Sequence, residues 1–308
     1  MPRIRASYIV AGAVVVIVAG YLSLNSRRIC TPSGVLDAGR KPKVQRSIES
    51  LCTKEVEEPA RLGDGCHHVF IDAGSNKGVH GRWVYEASKY KEARAPKKFF
   101  DPMLGDELSR RKSTCVFAFE PNPVHAEHQR ATEKAYQAMG WRYHFMPFGV
   151  GTENGTLAFY HNRRSTYGLI DEERSFSMLN KDQNGGYITA ENPNPPLQVP
   201  VLDFAAFVDE QIVKRKLPEN SPSSWMKPVA LIKMDIEGAE FALLPHMFAT
   251  GALCKVQIFG ELHPNDGPYK LKGGIILNKL NATPFIDHMD HLLMAAGCLS
   301  KFQRFDDE

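Results

Sequence analysis

Carboxylate side chains follow three apolar runs of this 308-residue chain, each at the point where the run ends. Asp72 ends the run VFID, and Glu120 ends the run VFAFE. Asp235 and Glu237 end the third run, LIKMDIE. Each run is typical of a buried strand, and the carboxyl ends of parallel strands meet at one edge of a sheet. We therefore predict a ligand crevice at that edge, with these carboxylates around it.

The first run continues as AGSNKG, which predicts a tight turn from strand to helix. Gly74 and Gly78 permit such a turn, and they would also let ligand atoms approach the backbone at a helix N-terminus. Asp72 precedes the glycines, whereas the acid of the GxGxxG dinucleotide fingerprint follows them. This order favours a cofactor with a cationic amino-acid end. The alternative is a plain turn in which Asp72 binds the helix N-terminus.

Glu120 ends the second run and is followed by Pro121, which stops the strand. A carboxylate at this position can accept two hydrogen bonds from the hydroxyls of a ribose. The alternative interpretation is an acid that caps the next helix. The separation from Asp72 exceeds the usual spacing of about 20 residues, so we place an irregular insert at residues 91–111.

Lys233, Asp235 and Glu237 alternate along the third run, so they would share one face if the strand stays extended. Buried charges at that edge must be paired. We expect Asp235 and Glu237 to act in catalysis. The alternative is a structural Lys233–Asp235 ion pair, with the glutamates favouring a helix N-terminus.

The next run ends in GELH, where Glu261 and His263 again share a face. A histidine beside carboxylates can act as a general base. We predict that His263 takes a proton, oriented by Glu261 or Asp235, and that Glu237 is the second candidate for this role. A metal ion bridged by Asp235, Glu237 and His263 is an open alternative, and no metal ligand is assigned.

Strands alternate with helices along the chain, which predicts an α/β fold with a mainly parallel sheet. A short antiparallel pair is expected around residues 156–160. Residues 162–196, rich in Asn, Gly, Ser and Pro, are expected to form a long loop. The net charge of +3 argues against a dedicated nucleic-acid binder.

Residues 8–24 are uncharged and almost wholly apolar. The length of this segment is near the lower limit for a helix that spans a bilayer. We predict three regions: a cytosolic tail with a transmembrane signal-anchor at 1–25, a stem at 26–65 and a globular domain at 66–308. Two arginines precede the span, so we expect the domain in the lumen of the endoplasmic reticulum or Golgi, as in a type II membrane protein. A cleaved signal peptide is the alternative.

The six cysteines all lie beyond the apolar span. In an oxidising compartment we predict disulfides between Cys52 and Cys66 and between Cys254 and Cys298. Cys115 begins an apolar run, and we interpret it as a buried thiol.

Two sequons, at Asn154 and Asn281, also fit a luminal glycoprotein.

Several blocks of the chain, in this order, resemble the FkbM-type S-adenosylmethionine-dependent methyltransferases between about residues 69 and 263. They are VFIDAGSNKG, VFAFEPNP, FGVGTENGTLAFY, VPVLDF, IKMDIEGAE and GELHP. The resemblance implies a Rossmann-like methyltransferase sheet that ends in an antiparallel strand, and S-adenosylmethionine as cofactor. Ser75 and Lys77 depart from the smaller or neutral residues usual in the glycine loop.

The resemblance also implies which residues of this chain hold the cofactor. Asp72, Gly74 and Gly78 would lie at its methionine end, Glu120 at the ribose, Phe148 and Gly149 near the adenine, and Asp235 at the methyl-bearing sulfur. Asn76 is a further cofactor-binding candidate in the glycine turn.

The family is linked to O-methylation. We therefore expect methyl transfer to a hydroxyl-bearing acceptor, most plausibly a glycan. Two alternatives stay open: a non-catalytic binding or scaffold protein that keeps the fold, and a nicotinamide-dependent oxidoreductase, against which the missing GxGxxG argues.

Overall fold

The computed structural model describes residues 60–166, 169–177, 195–221, 226–261, 269–270, 276–277, 282–298 and 302–304. No helix in these ranges is long and apolar enough to cross a membrane. The predicted anchor at residues 8–24 and most of the predicted stem lie outside the described residues, so both stay predictions.

The strands of the described ranges are numbered in chain order. They are β1 (His68–Ala73), β2 (Thr114–Phe119), β3 (Arg142–Met146), β4 (Gly149–Gly151), β5 (Gly155–Thr166), β6 (Leu169–Ser177), β7 (Leu197–Asp203), β8 (Ala230–Met234), β9 (Gln257–Gly260), β10 (Tyr269–Lys270), β11 (Ile276–Leu277) and β12 (Phe302–Arg304).

The α-helices are α1 (Val79–Glu86), α2 (Asp101–Leu104), α3 (Glu107–Ser113), α4 (Pro123–Ala138), α5 (Phe204–Phe207), α6 (Glu240–Ala249) and α7 (Ala282–Ala295). Short 3-10 turns lie at Ala87–Lys89 and Leu253–Lys255, and π-helical turns lie at Pro96–Phe100 and Val208–Val213. The insert predicted to be irregular is therefore largely helical.

Six strands form the central sheet in the order β12–β9–β8–β1–β2–β3. Every pair of neighbours is parallel, which confirms the predicted α/β fold and its mainly parallel sheet. The predicted terminal antiparallel strand is wrong, because β12 runs parallel to β9, with Phe302 opposite Ile258. The connection from β9 to β12 includes the helix α7, and parallel strands are joined by such long crossover connections, usually helical.

A second sheet of four strands has the order β4–β7–β5–β6. Strand β5 is antiparallel to both β6 and β7, which confirms an antiparallel pair in this region. The pair is longer than predicted, since β5 and β6 occupy residues that the sequence assigned to a loop. Residues 178–194 of that predicted loop lie outside the described residues.

The central sheet is buried on both faces, which explains why its strands are continuous apolar runs. All six residues of β1 are buried. Val69 and Ile71 pack into a cluster that includes Phe204 of α5 and Phe241 of α6. Phe70 packs on the opposite face, in a cluster with residues of α1 and α4. The sheet therefore holds its strand ends on a rigid, doubly covered support.

Two disulfides are present in the described chain, Cys66–Cys115 and Cys254–Cys298. The second confirms the prediction. The predicted Cys52–Cys66 pair and the free Cys115 thiol are wrong. Cys115 is the second residue of β2 and lies opposite Val69 of β1, and this pairing brings its Cα within 5.7 Å of the Cα of Cys66. Cα separations near this value suit a disulfide.

Candidate active site

The glycine turn after β1 is shaped by the protein around it. Gly74 has φ +78°, and a Cβ there would lie 1.8 Å from the carbonyl oxygen of Asp235. The amides of Gly74 and Ser75 both donate to the carbonyl of Phe119, at 3.1 and 2.9 Å. The ends of β1, β2 and β8 therefore meet at this turn, and close backbone approach requires glycine at position 74.

Gly78, which the resemblance places at the cofactor, lies against buried side chains of the protein, and its role at the cofactor stays a prediction. It precedes α1 with φ +75°, and a Cβ there would lie 2.6 Å from the hydroxyl of Tyr143. Buried side chains of the protein thus occupy the space that a Cβ at position 78 would need. Gly78 is also not among the described residues that line the crevice.

Glu120 follows β2 and is 6% exposed. Its Oε2 accepts a hydrogen bond of 2.7 Å from the amide of Asn76, and its Oε1 accepts one of 2.8 Å from the amide of Asn122. Asn122 also caps α4, since its side chain accepts from the amide of Val124 at 3.1 Å. The carboxylate is therefore held between the β1–α1 turn and the start of α4.

Lys233 of β8 connects the other two acidic strand ends. Its ammonium donates to the carbonyl of Gly74 and to Oδ2 of Asp235, both at 3.0 Å. It lies 3.6 Å from Oδ1 of Asp72, beyond hydrogen-bonding distance. The side chain of Lys233 is 5% exposed, that of Asp72 is fully buried and that of Asp235 is 33% exposed. Asp72 and Lys233 thus form a buried layer behind Asp235.

Burial dominates the acid–base behaviour of this layer. It raises the pKa of Asp72 to about 6, although the charge of Lys233 opposes the rise. It likewise raises the pKa of Glu120 to about 7, against the hydrogen bonds from Asn122 and Asn76. Burial would lower the pKa of Lys233, but the charges of Asp235 and Asp72 outweigh it and the pKa is raised. Lys233 is therefore charged at neutral pH.

Two non-glycine residues at the strand ends have left-handed backbones, Asn76 with φ +49° and Glu237 with φ +55°. Such conformations are uncommon and concentrate at functional sites. Strand β8 ends at Met234, so Glu237 does not continue an extended face with Lys233 and Asp235, as the alternation predicted. It lies in the turn before α6, where Glu240 accepts from the amide of Ile236 at 2.7 Å.

A crevice with about 720 Å³ of empty space, part of it open to solvent, lies at the carboxyl ends of the strands. It is bounded by turns of the central sheet and by strands of the second sheet. Its described lining residues are Gly74, Asn76, Phe119, Glu120, Pro121, Asn122, His125, Phe148, Gly149, Val150, Phe159, Phe176, Asp235, Ile236, Glu237 and Ala239.

The crevice brings together most of the predicted site residues. Gly74, Asn76, Glu120, Phe148, Gly149, Asp235 and Glu237 all line it. Asp72 lies behind this lining and is fully buried. Glu261 follows β9, where its amide donates to the carbonyl of Met234 at 3.1 Å, but it is not among the described lining residues. His263 lies outside the described residues, so its predicted role as base stays a prediction.

Sequence reasoning missed the aromatic wall of the crevice. Phe159 of β5 and Phe176 of β6 stack with ring centroids 5.2 Å apart, and both line the crevice. They come from a hairpin that lies far along the chain from the acidic strand ends, and no local pattern links the two. His125, which is 6% exposed on α4, also lines the crevice.

No three His, Cys, Asp or Glu side chains within the described ranges are grouped so that they could hold a metal ion. The metal-bridged alternative includes His263 and is therefore untested.

A parallel, doubly covered sheet with a carboxylate-lined crevice at its carboxyl edge defines a Rossmann-like α/β protein, a fold class in which ligands bind at that edge. A family model described as "Methyltransferase FkbM domain" matches residues 72–298. The chain therefore belongs to the FkbM methyltransferase family, which confirms the resemblance stated from its sequence.

One solved structure is similar to part of the chain, a methyltransferase FkbM from Methylobacillus flagellatus KT. The identity is 13%, the TM-score is 0.28, and the match covers 59% of this chain. It spans 29% of the other chain, and a likeness this distant carries no argument about fold or activity. No curated protein matches the sequence significantly.

Proposed function

We propose that the protein is an S-adenosylmethionine-dependent O-methyltransferase. One observation carries the proposal: the buried carboxylate of Glu120 is held by two backbone amides at the carboxyl edge of the sheet and lines the crevice. An ionised carboxylate offers about four lone-pair sites. The amides of Asn76 and Asn122 use two, which leaves acceptor capacity for the two hydroxyls of a ribose.

The remaining features of the crevice fit the same cofactor. Asp235 and Glu237 line it, and carboxylates suit the positive charges of a sulfonium and an α-ammonium group. Phe119, Phe148 and Phe176 supply apolar faces for a planar base.

S-adenosylmethionine supplies a methyl group on a sulfonium when it is bound. The contribution of the protein is alignment, because a positioned acceptor oxygen turns a bimolecular reaction into an effectively intramolecular one. The ion pair with Lys233 fixes the carboxylate of Asp235 at the carboxyl end of β8. A carboxylate that already accepts from an ammonium is a weak base, so we assign Asp235 to electrostatic positioning and not to proton removal.

We propose His263 as the general base, with Glu237 as the second candidate. A neutral imidazole accepts a proton near physiological pH without a large change of its pKa. Replacing His263 by alanine is expected to lower turnover by roughly 10²–10⁴-fold, the usual contribution of a general base. Cofactor affinity should be nearly unchanged. Persistent turnover with a loss of affinity would instead make His263 a wall of the pocket.

We propose a hydroxyl as the acceptor, on a glycan in the secretory pathway. The disulfides Cys66–Cys115 and Cys254–Cys298 support an oxidising compartment. Asn154 of the first sequon is exposed in the turn between β4 and β5, and Asn281 of the second sequon lies outside the described residues. The apolar residues 8–24 support a membrane anchor.

Release of adenosylhomocysteine, measured with a panel of glycans and labelled S-adenosylmethionine, tests the activity. Transfer of label to one glycan class is the expected result. Binding of the cofactor without transfer to any acceptor would favour the scaffold alternative, and stabilisation by NAD but not by S-adenosylmethionine would favour the oxidoreductase.

The topology is tested by protease treatment of sealed microsomes that contain the full-length protein. A luminal domain is expected to be protected until detergent is added. Digestion without detergent would show that the domain faces the cytosol.

A further inference from the structure

Gln129 of α4 connects the glycine turn to the body of the protein. Its side chain is fully buried. Its Nε2 donates to the hydroxyl of Ser75 at 2.9 Å and to the carbonyl of Asn76 at 2.8 Å. Its Oε1 accepts from the hydroxyl of Tyr143 at 2.6 Å. Because a carbonyl can only accept, the bond to Asn76 fixes which end of the amide faces the turn.

Asn76 is thereby held from both sides. Its carbonyl accepts from Gln129, and its amide donates to Oε2 of Glu120 at 2.7 Å. Its φ of +49° is costly for a residue other than glycine, so the surroundings must enforce it. The two hydrogen bonds hold Asn76 in this conformation. One comes from Gln129 on α4, and the other goes to Glu120 at the end of β2.

The side chains of Tyr143 and Gln129 leave no space for a residue larger than glycine at position 78. A Cβ on Gly78 would lie 2.6 Å from the hydroxyl of Tyr143 and 2.9 Å from Oε1 of Gln129. Ser75 is 2% exposed and Tyr143 is fully buried. Buried polar groups that are fully hydrogen-bonded make a local structure rigid and specify one conformation.

We infer that Gln129 is a positioning residue for the cofactor: the chain Tyr143–Gln129–Asn76 holds the amide that orients Glu120 before any ligand binds. The inference rests on the proposed function only for the identity of the ligand. The claim about the turn itself concerns the free protein. Gln129 acts through Asn76 and does not line the crevice among the described residues.

Replacing Gln129 by leucine removes all three hydrogen bonds at nearly constant volume. Tyr136→Phe is the matched control, because Tyr136 is 5% exposed on the same helix and donates to Glu86 at 2.6 Å, outside the crevice. Both variants lose a buried hydrogen bond made by a side chain of α4, but only Gln129→Leu loses hydrogen bonds to the glycine turn after β1.

The first measurement is amide hydrogen exchange of the ligand-free, full-length protein over residues 73–78. Gln129→Leu should speed exchange there by at least about tenfold, corresponding to one lost hydrogen bond. Tyr136→Phe should leave it unchanged. Equal exchange of residues 73–78 in wild type and Gln129→Leu overturns the inference. If Gln129→Leu does not fold, Tyr143→Phe replaces it, because it removes only the hydrogen bond to Oε1 of Gln129. Exchange of residues 73–78 should again become faster, by a smaller factor, and unchanged exchange would overturn the inference.

The second measurement is the affinity for S-adenosylmethionine as a function of pH. The amide of Asn76 opposes the effect of burial on the pKa of Glu120, so loosening the turn should raise that pKa above its value of about 7. In Gln129→Leu, affinity should fall about tenfold at neutral pH, and the pH midpoint of the loss should move upward. An unchanged midpoint with weakened affinity would reduce Gln129 to a structural residue and contradict the inference.

A wild-type protein that binds no S-adenosylmethionine would refute the proposed function. The exchange of residues 73–78 would then still decide whether Gln129 holds the turn, so the two failures are distinguishable.

Discussion

Nζ of Lys233 lies 3.0 Å from Oδ2 of Asp235, so a buried cation and a carboxylate from the end of the same strand form one ion pair. The same ammonium lies 3.6 Å from Asp72 at the end of the neighbouring strand. One lysine therefore offsets the charges of two acids that the sheet brings together. The arrangement combines the functional and the structural interpretations that the sequence left open for this pair.

Removal of this cation is expected to destabilise the protein strongly. Lys233→Met leaves Asp72 buried without its counter-charge, and breaking a buried pair costs about 3–5 kcal/mol. Urea unfolding of the cofactor-free protein measures the change. Lys214→Met is the control, because Lys214 pairs with Asp209 and Glu210 at the surface, where its side chain is 46% exposed. A loss for Lys233→Met no larger than for Lys214→Met would show that the buried pair does not matter.

The contribution of Glu120 and Asp72 to the stability of the cofactor-free protein should fall as pH rises from about 4 to about 7, whereas buried His68 and His80, with pKa values lowered to about 4 and about 3, contribute in the opposite direction. Burial raises the pKa of Glu120 to about 7 and that of Asp72 to about 6, so the folded state holds protons that the unfolded state has released in this window. The free energy of unfolding decreases with pH wherever the folded state binds more protons. Unfolding in urea at a series of pH values measures the slope.

Glu120→Ala removes one negative contribution to that slope, so its free energy of unfolding should rise more steeply, or fall less steeply, with pH than that of wild type. Asp106→Ala is its control: this exposed cap of α3 has a lowered pKa, so it is ionised in both states throughout most of the window. It should change the level of stability without changing the slope. A slope that is the same in wild type and Glu120→Ala would contradict the raised pKa of Glu120.

The close approach at Gly74 predicts an unusually costly alanine substitution. Gly74→Ala combines a left-handed backbone with a Cβ that would lie 1.8 Å from the carbonyl of Asp235, so the end of β8 must move. Gly140 has nearly the same φ, +79°, with no atom within 4 Å of a Cβ. Gly140→Ala should cost about 1–2 kcal/mol for its backbone alone, and Gly74→Ala several kcal/mol more or no folded protein. Similar thermal stability of the two variants would rule out the close contact.

The disulfide pattern can be checked directly. Peptide mapping without reduction should recover the links Cys66–Cys115 and Cys254–Cys298. The first closes a sequence separation of 49 residues. Replacing both of its cysteines by serine should cost up to about 4 kcal/mol in the chain-entropy model. A Cys52–Cys66 link would restore the pairing first predicted from the sequence and contradict the structure.

The acidic strand ends could be predicted because their signal is local: an apolar run followed by Asp or Glu. The parallel order of β1, β2 and β8 followed from the alternation of strands and helices. The direction of β12 did not, since it depends on how the chain crosses the sheet after α7. Gly74 was singled out correctly for its turn, but the atom that requires a glycine, the carbonyl of Asp235, belongs to a distant strand.

The same limit applies to the wall of the crevice and to the first disulfide. Phe159 and Phe176 reach the site through the second sheet, which the sequence predicted only in part. Cys115 pairs with Cys66 because β2 lies beside β1, a long-range fact with no signature in cysteine spacing. The Gln129 contact is likewise invisible in the sequence, where a buried glutamine on a helix resembles a surface residue.

Calorimetric titration of the full-length protein with S-adenosylmethionine, in wild type and Glu120→Ala, tests the central claim most directly. Wild type should bind. Glu120→Ala should lose about 1.5–3 kcal/mol of binding free energy, the value of hydrogen bonds to a charged group, with its fold intact by circular dichroism. Unchanged affinity in the folded Glu120→Ala variant would contradict the assignment of this carboxylate to the cofactor, and absence of binding in wild type would contradict the proposed activity.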